Sequence, residues 1–262
     1  MKKSITWKTF LSLTAICLLT ILAVACSGNH NRNATNSEPA RQPAPPSLPP
    51  DTPVPALCVN PYYPVSPTLK RQYRNTYTDT RLNTTYTETY TNIAADSFTY
   101  HFNFSNGSSQ TNGFKCTAEG LATVEFAQVN SGGDQANAVK FQTLKATGVT
   151  IPAPDKWVKG YKWTSSYEVE GKFPMGDAKG NITIANEIVG EENVTVPAGT
   201  YKAFKVEANI VQKMMASEGA GKPLTIPIDG SIKVVNWYAK DVGMVKTSVE
   251  GLSTVELLSF VK

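Results

Sequence analysis

Phe98-Thr99-Tyr100-His101-Phe102-Asn103-Phe104 alternates aromatic and polar residues without a break. In an extended chain successive side chains point to opposite faces, so Phe98, Tyr100, Phe102 and Phe104 share one side and Thr99, His101 and Asn103 the other. A helix would scatter those four rings around its circumference. The same period of two returns in Tyr161, Trp163, Tyr167 and Val169, in Phe204, Val206, Ala208 and Ile210, and in Ile232, Val234 and Tyr238. Alternation rich in aromatic and β-branched residues is the pattern of half-buried antiparallel strands.

Turn signals separate these runs: Asn106-Gly107, Asn112-Gly113, Ser131-Gly132-Gly133, Pro152-Ala153-Pro154, Gly176-Asp177, Pro197-Ala198-Gly199 and Asp229-Gly230. They divide the chain into about ten strands, with room only for short helical turns, for instance near Asp134 to Ala138. The expectation is a mostly β protein, a single antiparallel β domain over residues 57–262, shaped as a barrel, half-barrel or sandwich. That length buries a sizeable core within one domain. Tyr73, Tyr77, Tyr86 and Tyr90 also alternate with polar residues, but no outward face reads as the continuous apolar band of a membrane-spanning barrel.

Before that domain the composition changes twice. Lys2, Lys3 and Lys8 precede an uncharged apolar run, Phe10 to Ala25, which ends in Ala23-Val24-Ala25-Cys26. Basic start, short apolar run and small-residue site define a signal peptide over residues 1–25, too short for an ordinary membrane span. Cleavage before Cys26 resembles the bacterial lipobox, although Ala23 stands where Leu is usual and Leu22 sits one place earlier. The resemblance implies acyl chains, palmitate among them, on Cys26, with the membrane as partner and the cell envelope as address. Ser27 after the Cys implies the outer membrane if the cell has two. The competing reading is an ordinary secretory site with Cys26 as a spare thiol. Residues 26–56, with Pro43-Ala44-Pro45-Pro46 and Leu48-Pro49-Pro50-Asp51-Thr52-Pro53-Val54-Pro55, read as a lipidated Cys followed by a disordered, Pro-rich stalk.

Charge excludes one class of partner. The 25 basic and 21 acidic residues give +4, and removal of Lys2, Lys3 and Lys8 leaves +1. Without a basic stripe there is no electrostatic case for nucleic acid. Cys58 and Cys116 remain in the domain, and in an oxidising compartment a disulfide between them is the favoured reading. Two separate thiols or a metal pair compete with it, but two Cys without a neighbouring His are too few for zinc.

No chemical constellation emerges, and neither a catalytic residue, a metal site nor a cofactor is assigned. His30 lies in the stalk, and His101 is on the polar side of its strand, where a solvated imidazole is ordinary. There is no Ser/His/Asp arrangement and no Gly-x-Ser-x-Gly elbow. Gly219-Ala220-Gly221-Lys222 lacks the first glycine of a phosphate loop, having Ala216 there, and reads as a flexible loop. Glu191-Glu192 beside Gly190 reads as a solvated turn. An enzyme is therefore not expected, a hydrolase built on distant convergent carboxylates being the remote alternative.

Val194-Thr195-Val196-Pro197-Ala198-Gly199-Thr200-Tyr201, Trp237-Tyr238-Ala239 and Val242-Gly243-Met244-Val245-Lys246, with Asn60-Pro61-Tyr62-Tyr63-Pro64 and Cys116 to Leu121, resemble a recurrent group of uncharacterised bacterial envelope lipoproteins. The likeness spans most of the domain and departs after Pro64, where that group often has a Gly and a Trp and this chain has Thr68-Leu69-Lys70-Arg71. It implies an antiparallel β envelope domain without an assigned function. Two functional readings follow. In the first, the aromatic side of a curved sheet holds an apolar or amphipathic ligand, with lipid as the natural candidate. In the second, that side is plain core, and the domain acts on another envelope protein. An unfilled apolar cavity against a packed interior separates them.

Overall fold

The structure is a computed structural model and describes residues 56–130, 140–173, 176–218 and 225–262. The signal peptide and nearly all of the stalk, the Ser131-Gly132-Gly133 and Asp134 to Ala138 turns and the Gly219 to Lys222 loop lie outside the described residues. Two antiparallel meanders make up a single sheet. The first comprises β1 (Lys70–Tyr77), β2 (Thr84–Ala94), β3 (Ser97–Phe104), β4 (Ser109–Thr117) and β5 (Gly120–Asn130). After β6 (Lys140–Gly148) and the two-residue β7 (Ile151–Pro152), the second comprises β8 (Lys162–Phe173), β9 (Gly176–Val196), β10 (Gly199–Glu218), β11 (Thr225–Ala239), β12 (Gly243–Val249) and β13 (Ser253–Val261).

Across the sheet the order is β6-β8-β9-β10-β11-β12-β13-β1-β2-β3-β4-β5-β7. The first and last strands pair at its middle, with Lys70 opposite Val261 and Tyr77 opposite Ser253. Among the described residues no backbone ladder joins β5 to β6 along the remaining seam, so the sheet is not closed into a barrel. Its ends nonetheless meet through side chains: the Phe126 N–H donates to Thr143 Oγ1 at 2.8 Å, and Phe126 stacks on Tyr167 with centroids 4.7 Å apart. Among the described residues the only helical pieces are 3-10 turns at Ala56–Cys58, Thr80–Leu82 and Pro154–Lys156.

Thirteen strands stand among the described residues where about ten were expected, even though several of the turn signals lie inside strands. Gly113 marks a bulge in β4, where a Cβ would press to 3.2 Å from that of Glu125. Gly230 is an interior residue of β11 opposite Gln212, Gly176-Asp177 opens β9, and Glu191-Glu192 lie within β9 beside a bulge at Val189. At Gly113 the absent side chain relieves crowding between strands instead of reversing the chain. Asn106-Gly107 does reverse it, with Gly107 at φ +85°, as does Pro197-Ala198 between Val196 and Gly199.

The alternating faces of the sequence are the faces of the core. Phe98, Tyr100 and Phe104 are buried, as are Trp163, Tyr167 and Val169, and Phe204, Val206, Ala208 and Ile210. Tyr73, Tyr77, Tyr86 and Tyr90 turn inward too. The segment before β1 packs on this aromatic side, burying Cys58, Tyr63, Val65 and Leu69 against it. A Cys58–Cys116 disulfide fastens that segment to β4.

Candidate functional site

Period two places Arg71 on the same face of β1 as Tyr73, Asn75 and Tyr77, and Glu88 on the same face of β2 as Tyr86 and Tyr90. Register sets Arg71 directly opposite Glu88 and Tyr73 opposite Tyr86. Two charged side chains thus meet inside the core, each 2 % exposed, with Arg71 Nε donating to Glu88 Oε2 at 3.0 Å. Arg71 Nη1 donates to the Val242 carbonyl at 2.7 Å and Nη2 to the Tyr90 hydroxyl. The guanidinium carbon lies 5.4 Å from the ring centroid of Tyr90 and 5.8 Å from that of Tyr63, within cation–π range. Arginine suits such a place because its planar fork can donate in several directions while its face stacks on rings.

The motifs singled out in the sequence converge here. Val242 supplies its carbonyl to Arg71, and Met244 accepts a 2.7 Å bond from the Tyr73 hydroxyl. Between them Gly243 has φ +94°, and a Cβ at that position would run into Arg71 Nη1. Asn60 Nδ2 donates to the Pro152 carbonyl at 2.9 Å, and the Asp241 N–H donates to the Pro61 carbonyl at 2.6 Å. Tyr62 stacks on Trp157 at 4.4 Å, and Tyr63 lies amid Tyr90, Phe98, Tyr100 and Phe114. The Pro197-Ala198 turn is fixed from two sides: Ala198 N–H donates to the Leu257 carbonyl at 3.1 Å, and the Tyr201 hydroxyl to the Ala198 carbonyl at 3.0 Å. These motifs anchor loops to the core and carry no reacting group.

Burial pushes the Glu88 carboxyl above its usual range, against the pull of Arg71 and, more weakly, of the Tyr100 and Tyr73 hydroxyls. Those hydroxyls face the carboxylate closely enough to stabilise its charge, yet Oε1 has no hydrogen bond of ordinary geometry. Tyr63, Tyr73, Tyr86 and Tyr100 are raised well above the usual phenol range by burial first and by the Glu88 charge second, so they stay protonated. Sealed from water, the cluster offers a substrate no approach. Its chemistry is to lock the register of β1 on β2 and to hold the β11–β12 turn.

Two surface clefts stand outside the core. One, about 160 Å³, is lined by Ala56, Leu57, Val59, Asn60, Ala153 and Pro154 among others, and the second, about 320 Å³, by Thr76, Tyr77, Ser248, Leu252 and Ser253 among others. Neither lining contains an acid, a histidine or a cysteine. Among the described residues no group of three or more His, Cys, Asp or Glu converges as metal ligands would. His101, on the polar side of β3, is partly exposed and 2.6 Å from Thr91 Oγ1, and partial burial lowers its pKa. Cys26 lies outside the described residues, and Cys58 and Cys116 are consumed by their disulfide. Sequence reasoning missed Arg71 and Glu88. The signal was present, since both fall in step with tyrosines whose alternation was evident.

Residues 74–249 match the model of a family described as DUF3108-like, a span that holds Glu88, Tyr90 and Val242 and begins three residues after Arg71. Comparison with curated proteins gives no match. Among solved structures, a Bacteroides fragilis NCTC 9343 protein named as exported with a YmcC-like fold is similar at 16 % identity and TM-score 0.47, over 78 % of this chain and 100 % of that one. A Parabacteroides distasonis ATCC 8503 protein named as a lipoprotein is similar at 13 % identity and TM-score 0.43, over 77 % and 99 %.

Proposed function

Starting from a chain that belongs to the DUF3108-like family, we propose a lipid-anchored envelope protein whose β domain is non-catalytic and works through its outer surface on another envelope component. The address rests on the signal peptide, with Cys26 as the acylated residue and the Pro-rich run as a spacer. Each buried acyl CH₂ contributes about 0.8 kcal/mol, so two or three chains on Cys26 make a lasting tether. Ser27 directs the tether to the outer membrane of a two-membrane cell.

One observation supports the surface-acting domain over a carrier: the aromatic side of the sheet is filled by its own rings. Phe98 stacks on Phe114 at 4.9 Å, Tyr90 on Tyr100 at 5.2 Å, and Tyr63 enters from the N-terminal segment to contact all four. A drug-sized ligand needs roughly 300–1,000 Å³ of mostly apolar pocket. The larger cleft, about 320 Å³, reaches that size but is lined chiefly by Thr and Ser side chains and backbone.

The test is native mass spectrometry of the mature protein extracted from membranes in mild detergent. The expected result is the polypeptide mass plus the acyl chains of Cys26, with no stoichiometric companion. A lipid that co-purifies and disappears in a folded Phe102→Asp variant would overturn the surface-acting reading in favour of a carrier.

A further inference from the structure

Seven large apolar side chains are conspicuously exposed among the described residues; two of them line one cleft where the domain begins, and a third follows the turn that walls it. Leu57 is 52 % and Val59 56 % exposed, and both line the smaller cleft together with Ala153 and Pro154. The Pro154–Lys156 turn that walls this cleft runs through the buried Trp157 into Val158, which is 55 % exposed. Stacking of Trp157 on Tyr62 and the Asn60–Pro152 hydrogen bond hold the two segments side by side. Leu57, Val59 and Val158 themselves lie outside the core clusters of the described residues.

We propose that this end of the domain rests on the bilayer surface, with Leu57, Val59 and Val158 entering its headgroup layer. The proposal builds on the lipid anchor at Cys26 and adds the orientation of the domain. The chain toward Cys26 leaves from Ala56, which itself lines the cleft, so the tether is attached at this face. Thirty residues from Cys26 to Pro55 reach at most about 100 Å, a length that limits how far the domain can stand from the membrane and leaves the patch free to touch it.

Charge beside the patch is nearly balanced. Lys156 pairs with Asp155 at 2.8 Å and Lys162 with Glu187 at 3.0 Å, Glu119 is exposed nearby, and Lys159 has no ion-pair partner among the described residues. Contact is thus apolar and changes little with salt or with the fraction of anionic lipid, unlike that of a polybasic patch.

The experiment uses the full mature lipoprotein in vesicles of phosphatidylethanolamine and phosphatidylglycerol, labelled with an environment-sensitive fluorophore at Val158→Cys or, as control, at Met215→Cys. Met215 is also exposed but lies eleven residues along β10 from Phe204, which packs on Trp157. Single labelling is feasible because acylation and the disulfide occupy the other cysteines. The label at 158 should be quenched at least twofold more than that at 215 by a lipid carrying a headgroup-level nitroxide, equally at low and high salt. A Leu57→Ser/Val59→Ser background should abolish the difference. Equal quenching at the two sites in a protein that floats with the vesicles would overturn the docking while leaving the anchor intact. A protein that fails to float and lacks acyl mass on Cys26 would overturn the anchor and the docking with it.

Discussion

Arg71 and Glu88 are the residues on which the core depends most sharply. Removing one member of a buried ion pair costs about 3–5 kcal/mol, because the other is left charged in a poor solvent. Arg71→Met should therefore lower unfolding free energy by that amount in urea titrations, whereas Arg71→Met/Glu88→Leu should recover most of it. The pair also has a pH signature. Burial raises the folded-state pKa of Glu88 above its unfolded value, so its contribution to stability is full below the ordinary carboxylate range and is lost as pH rises through the folded pKa. Thermal melts across that interval should show a shallower decline for Glu88→Gln than for the unsubstituted protein. Both positions were legible as inward-facing from their spacing to Tyr73 and Tyr86. Their charge worked against that inference, since Arg and Glu are almost never fully buried unless paired. Pairing here is across strands, and register is what a single sequence does not disclose.

Among the elements, the β11–β12 turn and the N-terminal segment are the two that converge on the core from outside the strand pattern. Gly243 answers to two constraints at once, a positive φ and the guanidinium beside it. Gly243→Ala should cost clearly more than the ~1–2 kcal/mol of a left-handed alanine. Gly251→Ala, at φ +70° with open space around it, should cost no more than that in the same denaturation assay. The Cys58–Cys116 disulfide closes a separation of 58 residues, which the chain-entropy model values at about 4 kcal/mol. Cys58→Ser/Cys116→Ser should lose stability of that order. Strands were read well where aromatic alternation was strong, as in β3 and β8. Boundaries failed where glycine served a bulge, as at Gly113, because the residue that permits a turn also permits a close approach.

Taken whole, the molecule is two meanders sewn together along β1 and β13, with an apolar patch at the point of entry. Cys26→Ser should release the protein from the membrane to the soluble fraction and remove its acyl mass, measured by fractionation and mass spectrometry, without altering the unfolding midpoint of the domain. A single antiparallel β domain was legible in the sequence, but neither its one sheet nor the lateral order of that sheet was, because pairing between residues some 180 positions apart leaves no local trace. That pairing bears on when the protein can fold. A chain delivered amino end first, from a ribosome or through a membrane channel, holds β1 and β2 early but receives the partner of β1 only after β12. Until Ser253 to Val261 arrive, the middle of the sheet has an open edge and Tyr73 lacks the wall that Leu257 helps to build. Contacts of such long range fold slowly. The middle of the sheet is thereby the part whose closure waits longest, because the two strands that form it are separated by all the others in between.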